Sequence, residues 1–116
     1  MNMNNLENVN LGIKQQEAIA KLRKKLLNIL SITSIILFGS YCRNEEDDES
    51  DIDLLIITEQ ILNRSQRHQI TDIVFEINLE YGTNFSTLVV DHDSWETGYF
   101  TVLPIKQEIL KDGIRL

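Results

Sequence analysis

One cysteine, one proline, one tryptophan and five glycines are spread over 116 residues. The single thiol, Cys42, excludes an intramolecular disulfide framework and a zinc site built from several cysteines. No Pro-rich or Gly-rich stretch divides the chain, and its length accommodates one domain with a real core. Basic residues are also scarce: 11 Lys and Arg stand against 18 Asp and Glu, a formal net charge of −7. That balance argues against nucleic acid as a partner, because phosphate binding is driven by Lys and Arg. No apolar run approaches membrane-spanning length, and the Asn-rich start lacks the basic-then-apolar order of a signal peptide. The expected setting is the cytoplasm, away from any membrane.

What is present is unevenly placed. Glu45, Glu46, Asp47, Asp48, Glu49, Asp51 and Asp53 fall within nine residues, and without them the chain is close to neutral. Residues 1–12 read as a loosely ordered polar lead-in and 13–116 as the domain. From Lys14 to Leu30, Ala18, Ile19, Leu22, Leu26, Leu27, Ile29 and Leu30 recur mostly at helical spacing, with Lys21, Arg23, Lys24 and Lys25 between them, so an amphipathic helix with a basic outer face is expected. Ile32 to Phe38 is a short continuous apolar run that suits a strand covered on both faces. Asp51 to Thr58 predicts a second strand, with Ile52, Leu54 and Ile56 on one face and Asp53, Leu55 and Ile57 on the other. The connection after it has room for a helical turn at Gln60 to Leu62. Ser65 to Tyr81 predicts a second amphipathic helix, stopped by Gly82. Phe85 to Val90 predicts a third strand, Asp91 to Ser94 a turn, and Pro104 opens a last helix ending near Gly113. The expected fold class is therefore α/β in the α+β sense: a small mixed sheet of three or more strands packed against helices. The short link between the first two strands favours an antiparallel pairing and not a doubly wound parallel sheet.

The chemistry concentrates where the first strand meets the second. Gly39-Ser40 ends the first, and Asp51-x-Asp53 heads the second eleven residues after Ser40. Strand alternation places Asp51 and Asp53 on one face, roughly 7 Å apart. Two such carboxylates repel each other, and a shared cation is the usual resolution. All-oxygen ligands select a hard ion, and Mg²⁺ typically takes one or two carboxylates plus phosphate oxygens. Gly39 lets a phosphate approach the backbone, Ser40 offers donors at the start of a short helix, and Arg43 adds a cation for the same anion. Each feature alone is common in turns and strand ends; their order is specific.

That order resembles the signature of the minimal nucleotidyltransferase branch of the DNA polymerase β-like nucleotidyltransferase superfamily, G-S-x-x-R-G followed by a spacer and S-D-x-D-L. The matching residues are Gly39-Ser40-Tyr41-Cys42-Arg43-Asn44 and Ser50-Asp51-Ile52-Asp53-Leu54. The resemblance implies the polymerase β-like fold and transfer of a nucleoside monophosphate, usually AMP from ATP, to a hydroxyl. It implies Asp51 and Asp53 as catalytic ligands of two Mg²⁺ ions, and Gly39 and Ser40, with Arg43, as the triphosphate grip. It also implies a partner class, since relatives of this size are often antitoxins encoded beside a HEPN-family toxin, which some of them inactivate by adding AMP to a tyrosine. An alternative is a catalytically weak member that neutralises its partner by contact. Two positions depart from the pattern. Asn44 replaces a Gly, which Asn's tolerance of left-handed angles can absorb. A third carboxylate, expected near the start of the third strand, is replaced by Ser86, with Asp91 the candidate substitute; Glu76 and Glu80 read as solvated helix residues.

The remaining features have plainer readings. His68 and His92 read as surface and turn residues, and Cys42 as a half-buried hydrophobe without a partner for nucleophilic chemistry. Trp95, Tyr99 and Phe100 read as a cap on the core, the alternative being a partner surface. The basic face of the first helix reads as solvated, with an acidic partner as the alternative.

Overall fold

The computed structural model of the chain describes residues 9–29, 31–43 and 50–116. The acidic tract at 44–49, Leu30 and residues 1–8 of the expected lead-in lie outside the described residues. Helix α1 (Ile13–Ile29) leads into β1 (Ile32–Phe38), followed by a 3-10 turn at Ser40–Arg43 and β2 (Ile52–Thr58). Helix α2 (Arg64–Tyr81), β3 (Phe85–Asp91), α3 (His92–Glu96), a second 3-10 turn at Tyr99–Val102, α4 (Pro104–Asp112) and β4 (Ile114–Arg115) complete the order.

The sheet runs β3-β2-β1-β4. As the short link predicts, β1 and β2 are antiparallel. The α2 crossover returns the chain far enough for β3 to run parallel to β2. The mixed α+β sheet expected from the sequence is thus present, with a fourth strand that the sequence does not announce. At two residues, β4 is too short to carry an alternating pattern, and its pairing with Ile36 and Leu37 fixes it.

Strand alternation divides the core into two. Leu37, Ile52, Leu54 and Ile56 face Ala18, Leu22 and Leu26 of α1 and Ile70 and Ile77 of α2. On the other face Ile36, Leu55 and Ile57 meet Trp95 and Ile109. Both faces of β2 are therefore dry, which explains its unbroken apolar sequence. In α1 the exposed Leu27 and Ile29 fall outside the buried stripe. Two of its lysines meet acids within the chain, Lys21 with Glu80 at 2.7 Å and Lys25 with Glu76 at 3.9 Å. Those acids are occupied on the α1–α2 surface.

Local capping sets the α2 boundaries. Asn63 accepts from the Gln66 amide at 2.8 Å while the Gln66 side chain accepts from the Asn63 amide at 2.9 Å, a reciprocal capping box. Gly82 ends the helix in the left-handed conformation, as its sequence position predicts. Two expectations are corrected. No helical turn forms at Gln60 to Leu62; the buried Thr58 hydroxyl instead donates to the Gln60 carbonyl at 2.7 Å and holds the chain in a bend. Asp91 to Ser94 is not a free turn but the start of α3, with Asp91 as its N-cap. Among the aromatics, Trp95 is buried and Phe100 packs beside it, whereas Tyr99 is exposed.

A Leu54→Ala variant removes a fully buried side chain from the central strand, with an expected cost of about 2–5 kcal/mol in urea denaturation. Phe75→Ala, at an exposed helix position, should stay within about 0.5 kcal/mol. Similar costs for the two would contradict the assignment of the core.

Candidate functional site

The strand directions bring three loops to one end of the sheet: the exit of β1, the entry of β2 and the entry of β3. Across that end Phe38, Asp53 and Ser86 form one row, because Asp53 pairs with Phe38 on β1 and with Ser86 on β3. Gly39 follows with φ +87°. A Cβ added there would lie 2.2 Å from Asp53 Oδ2 and 3.1 Å from its Cγ. Glycine is required twice over, by a backbone angle that other residues rarely adopt and by a carboxylate seated against its Cα. The turn and the aspartate, fourteen residues apart in sequence, are thus in direct contact.

Ser40–Arg43 is a four-residue 3-10 turn, in keeping with the short helix expected there. The Cys42 amide donates to the Gly39 carbonyl at 3.0 Å, and its thiol donates to the Leu37 carbonyl at 3.2 Å. Burial, and then the charge of Asp112, push the thiol up to about 11, so Cys42 is a packing residue, as expected.

Asp53 is half-buried, and this desolvation, with the neighbouring charge of Asp51, holds its carboxyl above the usual range, while Arg43 opposes the rise. A half-buried carboxylate with a second one close enough to raise its proton affinity, both offering only oxygen donors, fits a hard divalent cation. Gly39 presents bare backbone directly against that carboxylate. Asp51 is exposed and receives a hydrogen bond to Oδ1 from Asn84 Nδ2. The Asn84 carbonyl also accepts from the Ile52 amide at 2.9 Å. Asn84 is the site residue that sequence reasoning missed. Its signal was its place in the loop directly after the Gly82 helix stop.

The structure settles where the third carboxylate is not. Ser86 stands beside Asp53, as the count from Gly82 indicated. Asp91 pairs with Thr58 at the opposite end of β3, roughly 17 Å from that row, and its carboxylate caps Ser94 at 3.0 Å. Register therefore removes Asp91, the candidate substitute, from the Asp51–Asp53 end. Among the described residues no group of three or more His, Cys, Asp or Glu side chains gathers to hold a metal. His68 and His92 are exposed, as read from the sequence.

The profile of the nucleotidyltransferase domain family matches residues 19–115. The chain belongs to that family. Two relatives from Methanocaldococcus jannaschii are each named "Putative protein adenylyltransferase". One is 44% identical over 62 residues, which are 52% of this chain and 42% of the relative. The other is 32% identical over 75 residues, 63% of this chain and 76% of the relative. The chain thus spans less than half the length of the first. Among solved structures, a toxin-antitoxin complex with AMP-PNP aligns with a TM-score of 0.56 at 21% identity, over 86% of this chain and 70% of the other. A complex of a tri-AMPylated HEPN toxin with an MNT antitoxin from Shewanella oneidensis aligns at 0.50 and 20%, over 89% and 71%. At these identities the likeness establishes the nucleotidyltransferase fold. Among the described residues no helix of this family member is long and apolar enough to cross a membrane.

Two outcomes test the site's geometry. Gly39→Ala should cost more than about 1 kcal/mol in urea denaturation, and less in an Asp53→Ala background, where the clash is gone; additive costs would refute the contact. For Asp53 the sign follows from its raised proton affinity. Between the unfolded and folded pKa values the native state binds more protons, so stability falls as pH rises through that window. Without added metal, Asp53→Asn should therefore melt higher than the parent at pH 7, with the gain shrinking as pH drops below the ordinary carboxylate range.

Proposed function

We propose that this chain transfers a nucleoside monophosphate, AMP from ATP in the first instance, to a hydroxyl acceptor in a Mg²⁺-dependent reaction. The observation that carries the reading is the seating of the Asp53 carboxylate on Gly39 with Asp51 alongside. A cation ligand and a bare stretch of backbone thereby share one space. Asp51 and Asp53 would hold the metal, two ions in the active complex, and Asn84 keeps Asp51 oriented. Bound Mg²⁺ supplies charge neutralisation of the triphosphate and of the leaving pyrophosphate. Gly39 and Ser40 would hold the β- and γ-phosphates through backbone and hydroxyl donors, with Arg43 adding positive charge beside them. In the transfer, the acceptor oxygen bonds to the α-phosphorus, the bond to pyrophosphate breaks and pyrophosphate leaves with the bonding pair, and the hydroxyl proton passes to solvent water.

Ser86 beside Asp53 favours a second reading. A serine hydroxyl is no carboxylate base, so the chain binds its metal-nucleotide better than it turns it over, and acts as an antitoxin by contact. The solved HEPN–MNT complex supports a HEPN-type toxin as the partner under either reading, with a tyrosine hydroxyl as acceptor under the first.

The two readings separate on incubation of the chain with labelled ATP, Mg²⁺ and the protein encoded beside it. Transfer should occur, fall about a hundredfold or more in Asp51→Asn and Asp53→Asn, and rise in Ser86→Asp. Tight association without transfer, indifferent to all three changes, establishes contact neutralisation instead.

A further inference from the structure

The face of the sheet that carries Asp53 continues away from it along β2 to Ile57, four residues on and roughly 13 Å distant. There α3 and α4 leave a gap, and a cavity of about 500 Å³ opens between them, within the usual size of small-molecule sites. Ile36 and Ile57 form its apolar floor, and Trp95 and Leu110 its walls.

Among the polar groups of this cavity, the Thr33 hydroxyl donates to the Ile57 carbonyl at 3.1 Å, while three donors are left open. Trp95 is 3% exposed, yet its indole N–H has no acceptor among the described residues, nor has the Ser34 hydroxyl. The Arg115 guanidinium at the rim likewise has no partner among the described residues. Trp95 is the buried donor of the three, and a buried indole N–H left open calls for an acceptor, whereas Ser34 is half-buried and Arg115 exposed. Lys106 lies 5.1 Å over the Trp95 ring and donates to the Trp95 carbonyl. Lys106 and Arg115 outweigh the single carboxylate of Glu96 in the lining, on a chain whose net charge is −7. An apolar floor, an aromatic wall with an open indole N–H, and the two cations Lys106 and Arg115 in the lining describe a ligand that is apolar and planar at one end and anionic at the other.

We propose that this cavity binds a small planar acid, an aromatic ring joined to a carboxylate, sulfonate or phosphate. The ring lies on Ile36 and Ile57 beside Trp95, and the anionic group meets Arg115 and Ser34. The proposal stands apart from the nucleotidyl-transfer reading, because none of its residues belongs to the Gly39–Asp53 end.

Trp95 is the single tryptophan, so energy transfer from it reports occupancy. The full chain is titrated with anilinonaphthalene sulfonate, with uncharged phenylnaphthylamine and sodium sulfate as comparisons. Saturable one-to-one binding of the sulfonate dye is expected, weakened about tenfold in Arg115→Ala, the loss typical of a hydrogen bond to a charged group. Leu110→Glu, which sets a negative charge at an exposed position of the wall, should weaken it as well, while Asp51→Asn leaves it unchanged. Equal binding of the uncharged amine, or no effect of Arg115→Ala, would reduce the cavity to an apolar patch and overturn the proposal. Loss of binding in Asp51→Asn would move the dye to the other end of the sheet and overturn it too. An absence of saturable binding means that water alone meets the donors.

Discussion

The contact between the Gly39 Cα and the Asp53 carboxylate is the constraint on which the rest of the site depends. It requires that β1 end where β2 begins, which the antiparallel register of Phe38 with Asp53 provides. It requires a residue without a side chain at φ +87°. It also places a half-desolvated acid at the sheet's end, where burial and Asp51 raise its proton affinity. Left alone, such an arrangement opposes folding slightly; a cation bound there would remove the opposition by taking the place of the proton.

The scaffold holds this contact by making its two central strands immovable. Side chains of β2 are buried on both faces, between the α1–α2 layer and the α3–α4 layer, so a slip of one residue would invert both cores. Farther out, the capped α2 delivers the chain through Gly82 to Asn84. There Asn78 bonds the Phe85 amide at 2.9 Å, and Asn84 reaches Asp51. A helix stop thus becomes the orientation of a carboxylate. The second helical layer is thinner, with α3 of five residues and α4 of nine, and it leaves the gap floored by Ile36 and Ile57.

Much of the fold was legible because its signals are local. Continuous apolar runs gave β1 and β2, Gly82 gave the end of α2, and Pro104 the start of α4. The two-residue β4 was not legible, because nothing in Ile114–Arg115 distinguishes a strand from a tail until β1 is beside it. The helical turn expected at Gln60 to Leu62 failed because the buried Thr58 hydroxyl needed an acceptor and took the Gln60 carbonyl. At Asp91 a polar run that reads as a turn became a cap once Ser94 followed it into α3.

By itself the sequence determined the candidate site's identity: Gly39-Ser40 and Asp51-x-Asp53 at their spacing, on strands whose apolar patterns admit one orientation each. Those are properties of neighbours along the chain, where alternation and turn chemistry suffice. Tertiary structure alone decided what stands next to what across the sheet. The parallel register of β2 and β3 put Ser86 beside Asp53 and carried Asp91 to the far end. The loop after α2 brought Asn84 to Asp51, and the spacing of α3 from α4 opened a cavity beside the buried Trp95. Register and helix placement come from packing between elements distant in sequence, so no local pattern encodes them.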